Sequence, residues 1–185
     1  MYPNNGVTMS RIAKQPIIIP ENVKIKYDHP NITIKGNIDT ITLTINNAVN
    51  INIIDNKLIC NIHKDHPNAW SHAGTARSII NSIIIGVTKG FSKKILLHGV
   101  GYRATIKNNQ ILLTLGYSHQ ITYILPNTIT AECISQNEII IKGADKQKVT
   151  QIAAEIRHYK PTDPYKNKGI RYENEIIRTK EVKKK

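Results

Sequence analysis

At 185 residues the chain has room for one domain or two small ones, and a hydrophobic content of 40% excludes a disordered polymer. A net charge of +13, from 26 Lys and Arg against 13 Asp and Glu, is tolerated when a polyanion normally lies against the surface. A membrane is the weaker candidate, since no run approaches the roughly 18 apolar residues needed to span a bilayer. Met1–Gln15 also lacks the apolar core of a secretory leader and the arginine-rich pattern of an organelle presequence. Nucleic acid is the stronger candidate.

Taken in chain order, the isoleucine-rich first half predicts strands at Val23–Tyr27, Ile32–Lys35, Ile38–Ile45, Val49–Ile54 and Leu58–Ile62. Asn46–Asn47 and Asp55–Asn56 supply tight-turn residues between them. A helix follows Asn68 as N-cap, with Ala69, Ala73, Ala76, Ile80 and Ile83 at helical spacing and Gly86 as its stop. Further strands are predicted at Lys93–Leu97, Tyr102–Lys107, Ile111–Leu115, Gln120–Leu125, Ile129–Ile134 and Glu138–Lys142, with Asn108–Asn109 as the clearest hairpin turn. A second helix begins near Asp145, places Val149, Ile152, Ala153, Ile156 and Tyr159 on one face, and ends at Pro161.

The halves echo each other. Pro20-Glu-Asn-Val23 precedes Ile32-Thr-Ile-Lys-Gly36, and Pro126-Asn-Thr-Ile129 precedes Ile139-Ile-Ile-Lys-Gly143. Similar element content in both halves supports a duplicated sheet-plus-helix unit. The expected class is therefore α+β: two tandem related domains, each an antiparallel sheet packed with a helix, plus an irregular basic C-terminal arm. The expected divisions are an extension at 1–8, domains at 9–88 and 89–160, and the arm at 161–185. Charge splits unevenly across the boundary. Pro20–Gly86 holds six Lys and Arg against five Asp and Glu, whereas Val87–Lys185 holds 18 against eight.

The end of the chain concentrates the signal. Arg157–Lys185 carries ten Lys and Arg against four Asp and Glu, interleaved with Tyr159, Tyr165 and Tyr172. Two prolines and a glycine break both helical and strand periods, so an extended arm is expected, its cations reaching phosphates and its tyrosines stacking on bases. Gly169 would let the backbone approach a phosphate. A solvated tail is the competing reading, above all for Lys180–Lys185.

Asp163-Pro-Tyr-Lys-Asn-Lys-Gly-Ile-Arg-Tyr172 resembles the C-terminal signature of the bacterial large-subunit ribosomal protein L-six family. The similarity runs from Met9-Ser-Arg-Ile-Ala-Lys14 through Gly74-Thr-Ala-Arg77, Gly86-Val-Thr-Lys-Gly-Phe91 and Gly99-Val-Gly-Tyr-Arg103. It continues in Lys142-Gly-Ala-Asp-Lys-Gln147 and ends in Arg178-Thr-Lys-Glu-Val-Lys-Lys-Lys185. The resemblance implies a non-enzymatic constituent of the cytoplasmic 50S subunit, with two tandem α/β domains and no cofactor, metal, membrane or small-molecule substrate. Its implied partners are 23S rRNA near the sarcin–ricin loop and stalk base, and neighbouring large-subunit proteins, stalk-base proteins among them. Carried over, the rRNA contacts fall on Tyr165, Lys166, Lys168, Gly169, Arg171 and Tyr172. Arg178, Lys180, Lys183, Lys184 and Lys185 neutralise phosphates less specifically, Arg157 and Lys160 lead into the arm, and Arg77 is a weaker candidate. Asn167 stands where the family pattern usually has glycine, and Met1–Thr8 precede the usual start.

A free-standing RNA chaperone or regulator of similar fold is the alternative. Gly99-x-Gly101-x-x-Ala104 formally matches a dinucleotide fingerprint, but strand-like alternation follows it where a helix is required. His63, His66 and His72 around Asp65 read as a surface loop rather than a metal site. Ser118 and His119 sit at a turn with no carboxylate near in sequence, which argues no nucleophile–base pair. Cys60 and Cys133 match no metal or redox spacing and read as small buried thiols. Removing Tyr165–Lys185 is expected to leave both domains folded while weakening RNA association.

Overall fold

Branched side chains alternating with polar ones build pleated, one-sided strands here. The computed structural model describes residues 10–54, 56–62 and 68–181, and the chain divides into two compact units, Met1–Lys89 and Gly90–Lys185.

The first unit runs α1 (Arg11–Lys14), β1 (Ile17–Ile18), β2 (Lys24–Asp28), β3 (Asn31–Lys35), β4 (Thr40–Thr44), β5 (Val49–Ile54), β6 (Lys57–Ile62) and α2 (Ala69–Lys89). Two antiparallel sheets form, ordered β2-β3-β4 and β1-β6-β5. Ile32, Ile34, Leu58 and Val49 are fully buried against the α2 residues Ala73, Ile80 and Val87. Nothing in the sequence pattern predicts α1 or β1, which are four and two residues long.

Asn46 turns the chain as expected, its Oδ1 accepting from the Ala48 N–H at 2.9 Å. Yet the turn carries the chain from one sheet to the other instead of closing a hairpin, because β4 and β5 do not pair. Asp55 of the predicted Asp55–Asn56 turn lies outside the described residues, while Asn56 adopts φ +59. The α2 boundaries differ from expectation at both ends. Asn68 sits at φ +59 rather than in the extended N-cap conformation, and its carbonyl accepts from the Ser71 and His72 N–H groups. Gly86 lies buried inside the helix, which continues to Lys89 and stops at Gly90, φ +75. The left-handed terminal position decides the stop, and burial of Val87 offsets the roughly 1 kcal/mol cost of an interior glycine.

The second unit runs β7 (Phe91–His98), β8 (Arg103–Lys107), β9 (Gln110–Thr114), β10 (Ile121–Ile124), β11 (Ile129–Ser135), β12 (Glu138–Gly143), α3 (Lys146–His158) and β13 (Gly169–Tyr172). Its sheets are β10-β9-β8 and β11-β12-β7-β13. Asn108 and Asn109 take φ +46 and +62 between the paired Lys107 and Gln110, the two-residue left-handed turn that matches strand twist. Asp145 caps α3, its carboxylate accepting from the Gln147 N–H at 2.8 Å. Val149, Ile152, Ala153 and Ile156 are buried beneath that helix, whereas Tyr159 is its C-cap residue and partly exposed.

The units share one plan. The meander β2-β3-β4 matches β8-β9-β10, the sheet β1-β6-β5 matches β7-β12-β11, and α2 matches α3. Individual bonds repeat too. Ile19 N–H donates to the Asn56 carbonyl at 2.8 Å, and Leu97 N–H to Asn137 at 2.8 Å. Likewise Ile45 N–H donates to Pro30 at 2.8 Å, and Leu125 N–H to Asn109 at 3.0 Å. This register corrects the sequence echo. Pro126–Ile129 precedes β11 and corresponds to Asn46–Val49 before β5, not to Pro20–Val23 before β2. Isoleucine- and asparagine-rich strands resemble one another too closely for a four-residue match to fix register.

The second unit adds one element. β13 pairs antiparallel with β7, Ile170 facing Leu97 and Tyr172 facing Ile95. The arm is thus less irregular than its prolines suggest, because Gly-Ile-Arg-Tyr is too short for alternation to be visible.

Candidate nucleic-acid interface

Between α3 and β13 the arm closes into a stitched loop. Ile170 N–H donates to the Lys160 carbonyl and Asp163 N–H to the Lys168 carbonyl, both at 2.8 Å. The Thr162 hydroxyl donates to the Ile170 carbonyl at 3.1 Å. Asp163 organises the tip: its Oδ1 accepts from Tyr165 N–H at 2.8 Å and its carbonyl from Asn167 N–H at 2.9 Å. Asn167 adopts φ +55, the left-handed conformation that asparagine tolerates, so it holds the path that glycine would allow. Tyr165, Lys166 and Lys168 stand exposed on this loop, Tyr165 at 56%. Lys180 N–H donates to the Pro164 carbonyl at 3.0 Å, which brings Lys180 back to the loop.

Three predicted contact residues also make internal contacts. Gly169 is buried at φ +145, and a Cβ there would lie 2.5 Å from Thr162 Cα. It lets the loop pack on itself, where a side chain would meet the backbone of Pro161 and Thr162. The Tyr172 ring is half-buried between cations, 4.6 Å from Lys93 Nζ and 5.3 Å from Arg157 Cζ. Arg157 forms an ion pair with Glu175, whose other oxygen accepts from Tyr172 N–H at 3.1 Å. Arg157 and Tyr172 therefore clasp the arm to the body of the unit. Lys94 is likewise committed, 3.2 Å from Glu138 and 3.3 Å from Glu173, and these partners raise its pKa.

Arg171 points to the sheet face opposite the buried Ile170, beside His98, Gly99 and Asn137 in an open groove. Burial lowers the His98 pKa and the Arg171 charge lowers it further. Among the described residues, no carboxylate lies within ion-pair distance of Lys166, Lys168, Arg171, Arg178 or Lys180. Lys183, Lys184 and Lys185 lie outside the described residues, as do Met1–Thr8 and the loop residues His63, Asp65 and His66. In the first unit Arg77 Nε donates to the Gln15 carbonyl at 3.3 Å, which ties α2 to the segment after α1.

Gly99–Gly101 forms a turn into β8 under the Tyr102 ring, so no helix N-terminus faces a pyrophosphate. Among the described residues no helix is long and apolar enough to cross a membrane, and no His, Cys, Asp and Glu cluster could hold a metal ion. Both cysteines are free thiols. Burial pushes Cys60 up to about 11 and also raises Cys133.

A family model described as "Ribosomal protein L6" matches residues 19–90 and 98–173. The chain belongs to the ribosomal protein L6 family. It is also 51% identical over 177 residues to the "Large ribosomal subunit protein uL6" of Aliivibrio salmonicida (strain LFI1238), a similarity covering 96% of this chain and all of that relative. The two L6 segments fall on the two units of matching topology.

One part of this L6 surface escapes sequence reasoning. Lys160 Nζ stands 4.3 Å from the centre of the Tyr117 ring, and the Tyr117 hydroxyl donates to the Tyr159 carbonyl at 3.0 Å. Tyr117 and His119 lie more than forty residues before the arm, and only folding joins them to it. A glycine followed by two ring-bearing residues in one turn, Gly116-Tyr-Ser-His119, was the available signal.

Proposed function

We propose that this L6-family chain is a structural, non-catalytic constituent of the cytoplasmic 50S subunit. In this reading it binds 23S rRNA near the sarcin–ricin loop and the stalk base, and touches neighbouring large-subunit proteins. The contacts belong to Tyr165, Lys166, Lys168, Arg171, Arg178, Lys180 and the terminal lysines, with Lys160 at the loop base. One observation carries the reading: a loop held by its own backbone bonds displays cations that no carboxylate among the described residues neutralises, on the unit that holds most of the excess charge. A stitched loop loses little conformational entropy on binding, so its lysines act as a preorganised phosphate clamp. Gly169, Tyr172 and Arg157 serve by holding that loop in place.

The test is binding of the purified chain to large-subunit rRNA as salt is varied. If about six phosphates are neutralised, affinity falls roughly a thousandfold between 50 and 200 mM salt. Salt-insensitive binding would refute the clamp. Sucrose-gradient fractionation checks the ribosomal assignment: the chain should travel stoichiometrically with large subunits, and accumulation at the top would instead mark a free-standing RNA-binding protein.

A further inference from the structure

The β9–β10 loop carries an aromatic surface that the phosphate contacts leave unused. Gly116, at φ +73, turns the chain, and the Tyr117 hydroxyl bond to the Tyr159 carbonyl fixes the ring at the end of α3. The His119 imidazole lies nearly parallel to it, with centroids 6.0 Å apart and planes 19° apart. Tyr117 is 41% exposed and His119 is exposed, so the pair offers ring surface to solvent. Glu155, one helical turn before Tyr159, is engaged: it accepts from the Tyr123 hydroxyl at 2.5 Å and the Gln151 amide at 2.9 Å. Lys160, whose ammonium lies over the Tyr117 ring and leaves the His119 ring as the open surface of the pair, is also the residue whose carbonyl receives β13, so the rings adjoin the base of the cationic loop.

We propose that Tyr117 and His119 form a stacking platform for an unpaired RNA base, with Lys160 on the adjoining phosphate. This rests on the rRNA-binding reading and adds a base contact to it. The chemistry favours RNA over a protein side chain. An exposed imidazole stacked on a tyrosine that carries an ammonium over its ring matches a base and its own phosphate, and the pair adjoins the base of the proposed phosphate clamp. Unpaired bases present π-faces to such rings without regard to sequence, so the platform would select single-stranded or looped RNA over duplex.

The experiment uses the full chain and deproteinised large-subunit rRNA. In His119→Trp the new indole should be quenched on RNA addition, beyond any change in Trp70 measured in the parent. His119→Ala should weaken binding roughly tenfold, the range of one lost base stack, while the salt slope stays at the parent value because no lysine or arginine is removed. Tyr117→Phe, which keeps the ring and loses the hydroxyl bond, should retain most of the affinity, whereas Tyr117→Ala should not. If Tyr117→Ala loosens the loop, the His119 pair of variants still decides. An unquenched indole together with parent affinity in His119→Ala overturns the platform while leaving the phosphate clamp standing. That outcome would leave the rings for a protein neighbour. A parent chain that fails to bind rRNA would overturn both.

Discussion

The two units are built on one plan and differ in what the plan displays. Both pair a three-stranded meander with a sheet and one long helix, and both bury a similar isoleucine-rich core. The first unit carries the smaller excess, nine Lys and Arg against five Asp and Glu, and two of its cations are internally engaged: Lys26 lies 3.1 Å from Asp28, and Arg77 holds Gln15. In the second, β7 is eight residues long and accepts strands on both sides, β12 and β13, whereas β1 is two residues and pairs with β6 alone. That extra strand anchors the cationic loop. A duplicated fold thus states nothing about binding, and the difference lies in one added strand and the charges it carries.

The sharpest way to break the comparison is to delete residues 165–185. Loss of a disordered tail would leave the second unit intact. Here the deletion also removes Ile170, fully buried against β7, and uncovers Ile95 and Leu97. The expected outcome is loss of RNA binding together with a destabilised second unit, seen as lost far-UV dichroism. The transition of Trp70, the sole tryptophan and a first-unit residue, should survive. An unchanged melt of the truncated chain would show that β13 contributes nothing.

Next in size is Gly169→Ala. Strained φ and the 2.5 Å approach to Thr162 Cα together cost about 2–4 kcal/mol, read as a lower denaturant midpoint for the second unit. A smaller loss would mean that the loop relaxes easily and is no preorganised clamp.

The third comparison separates charge from fold. Replacing Lys166, Lys168 and Lys180 by Gln should lower the salt slope of rRNA binding by about three, one per lysine, with stability within about 0.5 kcal/mol of the parent. The matched change in the first unit, Lys24, Lys26 and Lys35 to Gln, should leave the slope unchanged. Equal effects from the two triplets would mean that charge acts as a diffuse field and not through the loop.

What could be read in the sequence was local. Asn108–Asn109 encode their turn within two residues, and α3 shows its cap, apolar face and stop in one stretch. Hidden features depended on contacts between distant segments. Gly86 and Gly90 look alike as helix stops until burial of Val87 decides between them. The packing of Thr162 against Gly169 is invisible in the sequence, and Arg157 looks like a free cation until Glu175 folds back. The charge imbalance correctly marked the second unit as the basic one, but which of its cations are free is a property of the fold.

The smallest effect is a pH dependence that should appear in one unit only. His98 is lowered by burial and by Arg171, and its counterpart in the repeat is Pro20, which cannot titrate. With the folded-state pKa below the unfolded value, the unfolded chain binds the proton more readily. Stability is therefore fully present above the unfolded histidine pKa of about 6.5 and declines as pH falls through that value. Between pH 7 and 5 the second unit of the parent should lose more stability than that of His98→Asn, with no matching difference in the Trp70 transition. Glu155 is lowered by its hydrogen bonds from Tyr123 and Gln151 and so titrates below this window. If parent and variant lose stability in parallel, His98 is not the group that senses pH.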